Sequence, residues 1–164
     1  MHVAFTSANY VARVSEYDGT GDWRYHEVLT RERDVDFEFV DEWMGEVSGL
    51  GFDGVSLWTA HCWYHDVTGD ETDRFRALAD EHGLAINAYA GDFGFAPGTE
   101  GLVTTEREHW RRTYEVADAL GCDWLEGLWG ADGNRELIRE LGGEFGVSFG
   151  YEPHFVDSPA AAIE

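Results

Sequence analysis

Short strand-like runs alternate with helical patterns along this chain, and the alternation constrains its fold more than any other feature. The predicted strands are residues 3–6, 54–58, 84–90 and 123–128, and a run that begins at Val147. Glycine stands at each of the four junctions where a predicted helix gives way to the next strand, as a left-handed C-cap requires. Strands that alternate with helices indicate a parallel sheet built of right-handed βαβ units.

Five predicted strands are compatible with two α/β architectures. One is a doubly wound five-stranded sheet. The other is an incomplete parallel (β/α) TIM-barrel-like fold with about five of its eight βα units, since complete barrels need roughly 250 residues. We predict the incomplete barrel, as one domain over residues 1–164, because polar residues cluster at the carboxyl ends of several strands and not at one switch point. The chain also lacks the G-x-G-x-x-G and P-loop patterns of nucleotide-binding sheets.

The spacing of apolar residues predicts the helix bounds. Apolar residues at positions 37, 40, 44 and 47 predict the first helix, and residues 70–82 the second. Thr105 and Glu108 have the spacing of a capping box, which would start a helix that ends at Gly121. A shorter helix is predicted over residues 134–141, because two glycines follow Leu141.

The chain is strongly acidic, with 33 Asp and Glu, 11 basic residues that are all arginine, and a formal net charge of −22. Such a surface repels nucleic-acid phosphates and anionic lipids, so neither is an expected partner. Molar salt shortens the Debye length to about 3 Å and screens the self-repulsion, which favours a halophile over an acidic mesophilic protein. The sequence has neither a basic–apolar leader nor an apolar run of about 20 residues, so we expect a cytoplasmic protein. Cys62 and Cys122 are expected to be buried thiols.

The segment Val147–His154 has the pattern of a buried strand whose carboxyl end carries a carboxylate and an imidazole. Alternation places Ser148, Gly150, Glu152 and His154 on one face, and Val147, Phe149 and Tyr151 on the other. The small, polar face suits the mouth of a parallel barrel, where active sites lie. Glu152 paired with an arginine, and His154 as a plain loop residue, are the structural alternatives. Ser158 and Pro159 then predict a helix within which the chain stops, so we expect a longer enzyme cut within an element.

Further candidates follow from the other strands. Glu126 lies within the fourth strand, where a carboxylate must be paired or functional; if Leu125 faces the helices, Glu126 points inward to orient substrate or a catalytic neighbour. The substrate-binding candidates have ring or amide side chains and lie on the second and third strands or just after the second, namely Trp58, His61, Asn87 and Tyr89. Asn87 and Tyr89 share one face by alternation. Aromatic core packing is the alternative for the rings, since it is their commoner fate.

Three segments in this order resemble the xylose isomerase-like TIM-barrel superfamily of sugar phosphate isomerases and epimerases, which is related to endonuclease IV. They are residues 50–58 (LGFDGVSLW), residues 81–89 (EHGLAINAY) and residues 146–154 (GVSFGYEPH). The resemblance covers the first two thirds of the family barrel. Ser56 departs from it, because the family often has a glutamate on strand two.

This resemblance implies a divalent-metal-dependent proton transfer next to a carbonyl of a sugar or sugar phosphate. Glu152 matches a family metal ligand for Mn, Mg, Co or Zn and is also a candidate acid/base. With His154 and Glu126, which are candidates from their positions on the strands, it makes up the predicted catalytic set. The family's other ligands come from later strands, so we expect weak or no turnover by this chain alone. Two other hypotheses remain: a split barrel that closes by self-association or with a partner chain at its open sheet edge, and a non-catalytic doubly wound module that binds a small ligand.

Overall fold

A computed structural model of the chain describes residues 4–7, 35–91, 93, 105–128 and 133–151. Strands and helices alternate strictly within this part. In chain order they are β1 (Ala4–Thr6), α1 (Phe37–Gly49), β2 (Gly54–Trp58), α2 (Gly69–Glu81), β3 (Ala85–Gly91), α3 (Arg107–Leu120), β4 (Trp124–Gly127), α4 (Asn134–Phe145) and β5 (Ser148–Tyr151).

The five strands form one parallel sheet in the sequential order β1-β2-β3-β4-β5. A doubly wound sheet reverses direction at a switch point, and the described strands have none. The doubly wound alternative is therefore wrong, and the prediction of an incomplete TIM-type barrel is confirmed. Among the described residues, β1 and β5 each have one strand neighbour.

The helices α1 to α4 of the described part pack on one side of this sheet, because right-handed crossovers between strands in sequential order return to the same face. The core lies between that face and the helices. Its largest fully buried side chains include Trp43, Phe75, Trp110 and Tyr114. Burial of side chains of this size stabilises a fold by roughly 1.5–3 kcal/mol each, so this one-sided core is the main source of stability for the described sheet.

The helix stops predicted at Gly51, Gly83 and Gly121 are confirmed, and Gly146 ends the fourth helix in the same way. Gly51, Gly83, Gly121 and Gly146 follow α1 to α4, and each has a positive φ, between 68° and 85°. The left-handed conformation turns the chain back toward the sheet, and only glycine adopts it without a steric cost from Cβ. Each glycine therefore fixes the point at which the next strand begins.

Two details of the helix ends differ from the sequence prediction. The N-cap of α3 is Glu106, and no side chain caps this helix. The predicted capping box of Thr105 and Glu108 is therefore wrong, and the helix begins one residue later than predicted. The chain does contain a capping box, at the start of α2, where Thr68 and Glu71 bond to each other's backbone N–H groups.

The helix α4 continues past its two glycines to Phe145, four residues beyond the predicted end at Leu141. Tertiary contacts explain the extension. Arg107 binds Glu140 through two hydrogen bonds of 2.7 and 2.8 Å, and one turn further Arg111 binds Glu144 at 2.7 Å. The second pair lies within the added turn and joins it to α3, which favours this turn despite the poor helix propensity of glycine.

No helix among the described residues is long and apolar enough to cross a membrane.

Candidate functional site

The side of the sheet opposite the helices carries the candidate site, and we call it the open face. It is formed by Ser56 and Trp58 on β2, Ala88 and Ala90 on β3, Trp124 and Glu126 on β4, and Ser148 and Gly150 on β5. The intervening residues Val55, Leu57 and Leu125 are fully buried on the helix side. Strand alternation thus sorts apolar residues toward the core and the polar candidates toward the open face.

Glu126 and Ser56 meet on this face. The Ser56 hydroxyl donates a hydrogen bond of 3.1 Å to Oε2 of Glu126, although β3 lies between their two strands. The side chains that β3 presents beneath them are Ala88, paired with Ser56, and Ala90, paired with Glu126. Only methyl groups of this size leave the space for a contact across a whole strand. As predicted, Leu125 faces the helices and Glu126 points the other way.

The neighbouring strand β5 leaves room around the carboxylate. Gly150 pairs with Glu126, and a Cβ built on Gly150 would lie 3.7 Å from Cγ of Glu126. Phe149 packs toward the core, where its ring lies 6.0 Å from that of Trp110. This is the alternation expected for the strand, with the aromatic face inward to the helices and the small face beside Glu126.

An irregularity in β3 separates Asn87 from Tyr89. The register with β2 shifts between Val55 and Ser56, so that Asn87 is the extra residue. The Asn87 side chain lies over Gly54, where an added Cβ would come within 1.9 Å of its Oδ1. Tyr89 is fully buried on the helix side, and its hydroxyl donates to the carbonyl of Cys62 at 2.5 Å. The expected shared face of Asn87 and Tyr89 is therefore wrong, because alternation fails at a bulge.

Trp58 and His61 lie at the carboxyl end of β2, next to β1. The backbone N–H of Trp58 donates to Oγ of Ser7 at 2.8 Å, and Nε2 of His61 lies 3.0 Å from the Ser7 carbonyl oxygen. Because a carbonyl only accepts, Nε2 carries the proton in this contact. His61 is buried beside the rings of Phe39 and Trp43. These contacts join the loop after β2 to the end of β1.

Glu152 and His154 lie outside the described residues, so their sequence-based roles stay predictions. Within the described segments, no three His, Cys, Asp or Glu side chains come together as a metal site. Glu126 is the carboxylate of the open face, and its near neighbour there is a serine hydroxyl, which is a poor ligand for a divalent cation. The described residues thus do not fit a metal site by themselves.

Sequence reasoning overlooked the role of Ser56, which it treated only as a departure from the family pattern. The parity of β2 contained the signal, because Ser56 alternates with the core residues Val55 and Leu57. What the sequence does not contain is which residues of β3 lie between Ser56 and Glu126, because the register of β3 with β2 shifts at the bulge.

A family model described as a xylose isomerase-like TIM barrel matches residues 45–163. The chain belongs to the xylose isomerase-like TIM barrel family. The predicted family resemblance is confirmed by this match. No curated protein matches the chain.

Solved structures show the same fold at low sequence identity. A xylose isomerase-like TIM barrel protein from Mycobacterium smegmatis, in complex with magnesium, has a TM-score of 0.63 at 16% identity, over 99% of this chain and 59% of its own. The 3-keto-D-glucoside 4-epimerase of E. coli has a TM-score of 0.55 at 13% identity, over 99% of this chain and 62% of its own. A sugar phosphate isomerase/epimerase from Parabacteroides distasonis has a TM-score of 0.52 at 12% identity, over 92% of this chain and 50% of its own.

This xylose isomerase-like chain therefore spans less than two thirds of the length of these solved structures. At such identities the likeness shows the fold alone. The open face corresponds to the side of a barrel sheet that faces the barrel axis, since the helices of a TIM barrel lie outside its strands.

Proposed function

We propose that this chain carries the proton-transfer carboxylate of a sugar isomerase or epimerase. Glu126 accepts the proton from the carbon next to a sugar carbonyl. In isomerisation it returns the proton from the same side to the neighbouring carbon, and in epimerisation a second acid, for which Glu152 is the candidate, protonates the opposite face of the first carbon. The observation that carries this proposal is the orientation of Glu126 on the open face by the Ser56 hydroxyl. A positioned carboxylate within reach of a carbon acid is the basic requirement for this reaction.

The surroundings of Glu126 suit a sugar better than an apolar ligand. Asn87 and Ser148 offer an amide and a hydroxyl to sugar oxygens on the same face of the sheet. Trp58 lies on the same face at the end of β2, and Gly150 leaves space beside the carboxylate. In this proposal Asn87, Trp58 and His61 position the substrate, and Glu152 with His154 extends the same site from the carboxyl end of β5.

We retain Glu152 as the ligand of a divalent cation in this proposal, by resemblance to the family. Because the described residues do not assemble a cation site, no step assigned to Glu126 depends on one. Net isomerisation or epimerisation by the chain alone is then weak. The proton transfer itself is detected more sensitively than turnover, because each abstraction in which the carboxyl proton exchanges with D₂O before its return replaces a substrate proton with deuterium.

The test is deuterium incorporation into ketohexoses and their phosphates, incubated with the chain in D₂O and followed by proton NMR, with and without Mn²⁺. We expect label at the carbon next to the carbonyl, faster than in a buffer blank and in a sample of heat-denatured chain. Labelling of no sugar above those blanks would contradict the proposal.

A second proposal, the split barrel, is supported by the exposure of Trp124 on the open face. Trp124 is 49% exposed there, although tryptophan is usually well covered in folded proteins. In this proposal a second copy or a partner chain pairs with the edge of β5 and covers Trp124. Size-exclusion chromatography with light scattering in about 2 M KCl, where charge repulsion is screened, should show a species larger than the monomer. A monomer at all concentrations would contradict self-association.

A further inference from the structure

Two histidines meet where the loop after β2 lies against the first turn of α3. The ring centres of His65 and His109 are 5.4 Å apart. The Tyr64 ring touches both, with its centre 4.5 Å from His65 and 5.2 Å from His109. His109 is buried, whereas His65 is exposed. The proposed function uses neither histidine.

The hydrogen bonds of His109 show which form of the ring fits this place. Its Nε2 lies 2.6 Å from the carbonyl oxygen of Phe93 and 3.2 Å from the Tyr64 hydroxyl. Because a carbonyl accepts and does not donate, Nε2 carries the proton and donates to Phe93. The single N–H of a neutral imidazole is enough for this hydrogen bond, so His109 does not need to be protonated at Nδ1.

The environment of both rings disfavours the charged form. Burial lowers the pKa of His109, against the opposing effects of its bond to the Phe93 carbonyl and of Glu106. Burial also lowers the pKa of His65, helped by His109 and Arg112 and opposed by Asp66. With Tyr64, whose hydroxyl lies 3.2 Å from Nε2 of His109, these are the titratable and charged groups that face the pair from the loop and from α3 among the described residues. Both histidines are therefore neutral in the folded chain near neutral pH.

The backbone carbonyls of the same loop accept hydrogen bonds from side chains of α3 and β3. Tyr89 of β3 donates to the Cys62 carbonyl. Nε of Arg112 donates to the Tyr64 carbonyl at 3.0 Å, and its Nη2 donates to the Val67 carbonyl at 2.5 Å. Cys62, in the same loop, is fully buried, and burial raises the pKa of its thiol well above the usual range. The thiol is therefore inaccessible and unreactive while the loop stays in place.

We propose that His65 and His109 form an acid-sensitive latch, whose protonation releases residues 59–68 from α3 and exposes Cys62. Two cations with ring centres 5.4 Å apart repel each other, and the released loop allows each ring to be hydrated. Since the released loop binds more protons, its population rises as pH falls below the ordinary histidine value. The rise is about tenfold per pH unit for each proton taken up. The loop follows Trp58 directly, so the latch would make the rim of the open face pH-dependent.

The experiment uses Cys62 as the reporter of release. In a Cys122→Ser background, 4,4′-dithiodipyridine reacts with the sole thiol by disulfide exchange and releases one thiopyridone, which is measured by absorbance. The rate is divided by that of the denatured chain at the same pH, which removes the intrinsic pH dependence of the thiol. In about 2 M KCl, we expect this ratio to rise at least about tenfold between roughly pH 7 and pH 5.5.

Variants separate the latch from general acid unfolding. His65→Gln, at an exposed position, should lower the pH dependence of the ratio by the contribution of one proton, and His65→Gln with His109→Gln by that of two. The double variant then keeps at most the contribution of His61, which is the third histidine that release of the loop would hydrate. His82→Gln is the matched control, because His82 bonds to Asp41 away from the loop at 2.6 Å, and it should keep the full rise. Cys122, studied alone in a Cys62→Ser background, should stay unlabelled over the same pH range.

Three results would overturn the latch. The first is a labelling ratio of Cys62 that does not change with pH. The second is a rise that persists unchanged in His65→Gln, which is informative even where the double variant does not fold. The third is labelling of Cys122 in parallel with Cys62, since it would show that the whole fold opens and not the loop.

Discussion

Ser56 and Glu126 are bonded across an intervening strand. The Ser56 hydroxyl on β2 donates to Oε2 of Glu126 on β4 at 3.1 Å, above the methyl groups that β3 presents. The sheet therefore holds an acidic side chain in one orientation on a face where most neighbours are small. This contact makes Glu126 the described residue best placed for chemistry.

The first prediction concerns Ser56. Replacement by alanine removes the donor that orients Glu126, so deuterium incorporation into the sugar should fall by about tenfold, the scale of one hydrogen bond to a charged group that is partly exposed to water. Ser56→Thr keeps the hydroxyl and should retain most of the rate. If Ser56→Ala and Ser56→Thr both incorporate deuterium at the rate of the unchanged chain, with native circular dichroism, the hydrogen bond has no role in the reaction.

The second prediction uses two glycines as a matched pair. A Cβ on Gly127 would lie 1.8 Å from the carbonyl oxygen of Gly91, whereas a Cβ on Gly150 would meet its nearest atom, the carbonyl oxygen of Leu125, at 3.6 Å. Gly127→Ala should therefore lower the free energy of unfolding by about 3 kcal/mol or more, because the backbone has to move. Gly150→Ala should change it by less than about 1 kcal/mol. Denaturant unfolding measures both, and similar values would contradict the close packing of β3 on β4.

The third prediction concerns the capping box of α2. Thr68→Ala removes the hydroxyl that accepts the backbone N–H of Glu71 in the first turn of α2. The loss should cost about 1 kcal/mol of folding free energy. Thr105→Ala, at the position where the sequence predicts a box that is not formed, should be close to neutral. The reverse order of the two effects would mean that α3 begins one residue earlier than described.

The fourth prediction follows from the net charge of −22. Screening of this repulsion should raise the free energy of unfolding as KCl increases from about 0.1 M to 2 M. Potassium chloride is the suitable salt because sulfate also strengthens the burial of apolar surface. A stability that is flat or falls with KCl would argue against the expected salt-rich environment.

Much of the fold could be predicted from sequence because its signals are local. Strand β2 and the helix stops at Gly51, Gly83 and Gly121 follow from short apolar runs and from glycine at positions with positive φ. What could not be predicted depends on contacts between distant residues. The bulge at Asn87 arises from the pairing of β3 with β2, and the last turn of α4 from the arginine pairs of α3.

The candidate site divides in the same way. The inward direction of Glu126 follows from alternation with Leu125, so sequence was sufficient for it. The choice of Ser56 as its partner required the three-dimensional order of the strands, because 70 residues separate the two in the chain.

The central claim is that Glu126 transfers the proton, and Glu126→Gln tests it most directly. The substitution keeps the shape of the side chain and removes its basicity. Deuterium incorporation into the responsive sugar should fall about 100-fold or more, the usual contribution of a general base. Glu140→Gln, which alters an exposed carboxylate paired with Arg107 on the helix layer, should leave the rate unchanged. An unchanged rate in Glu126→Gln would contradict the account.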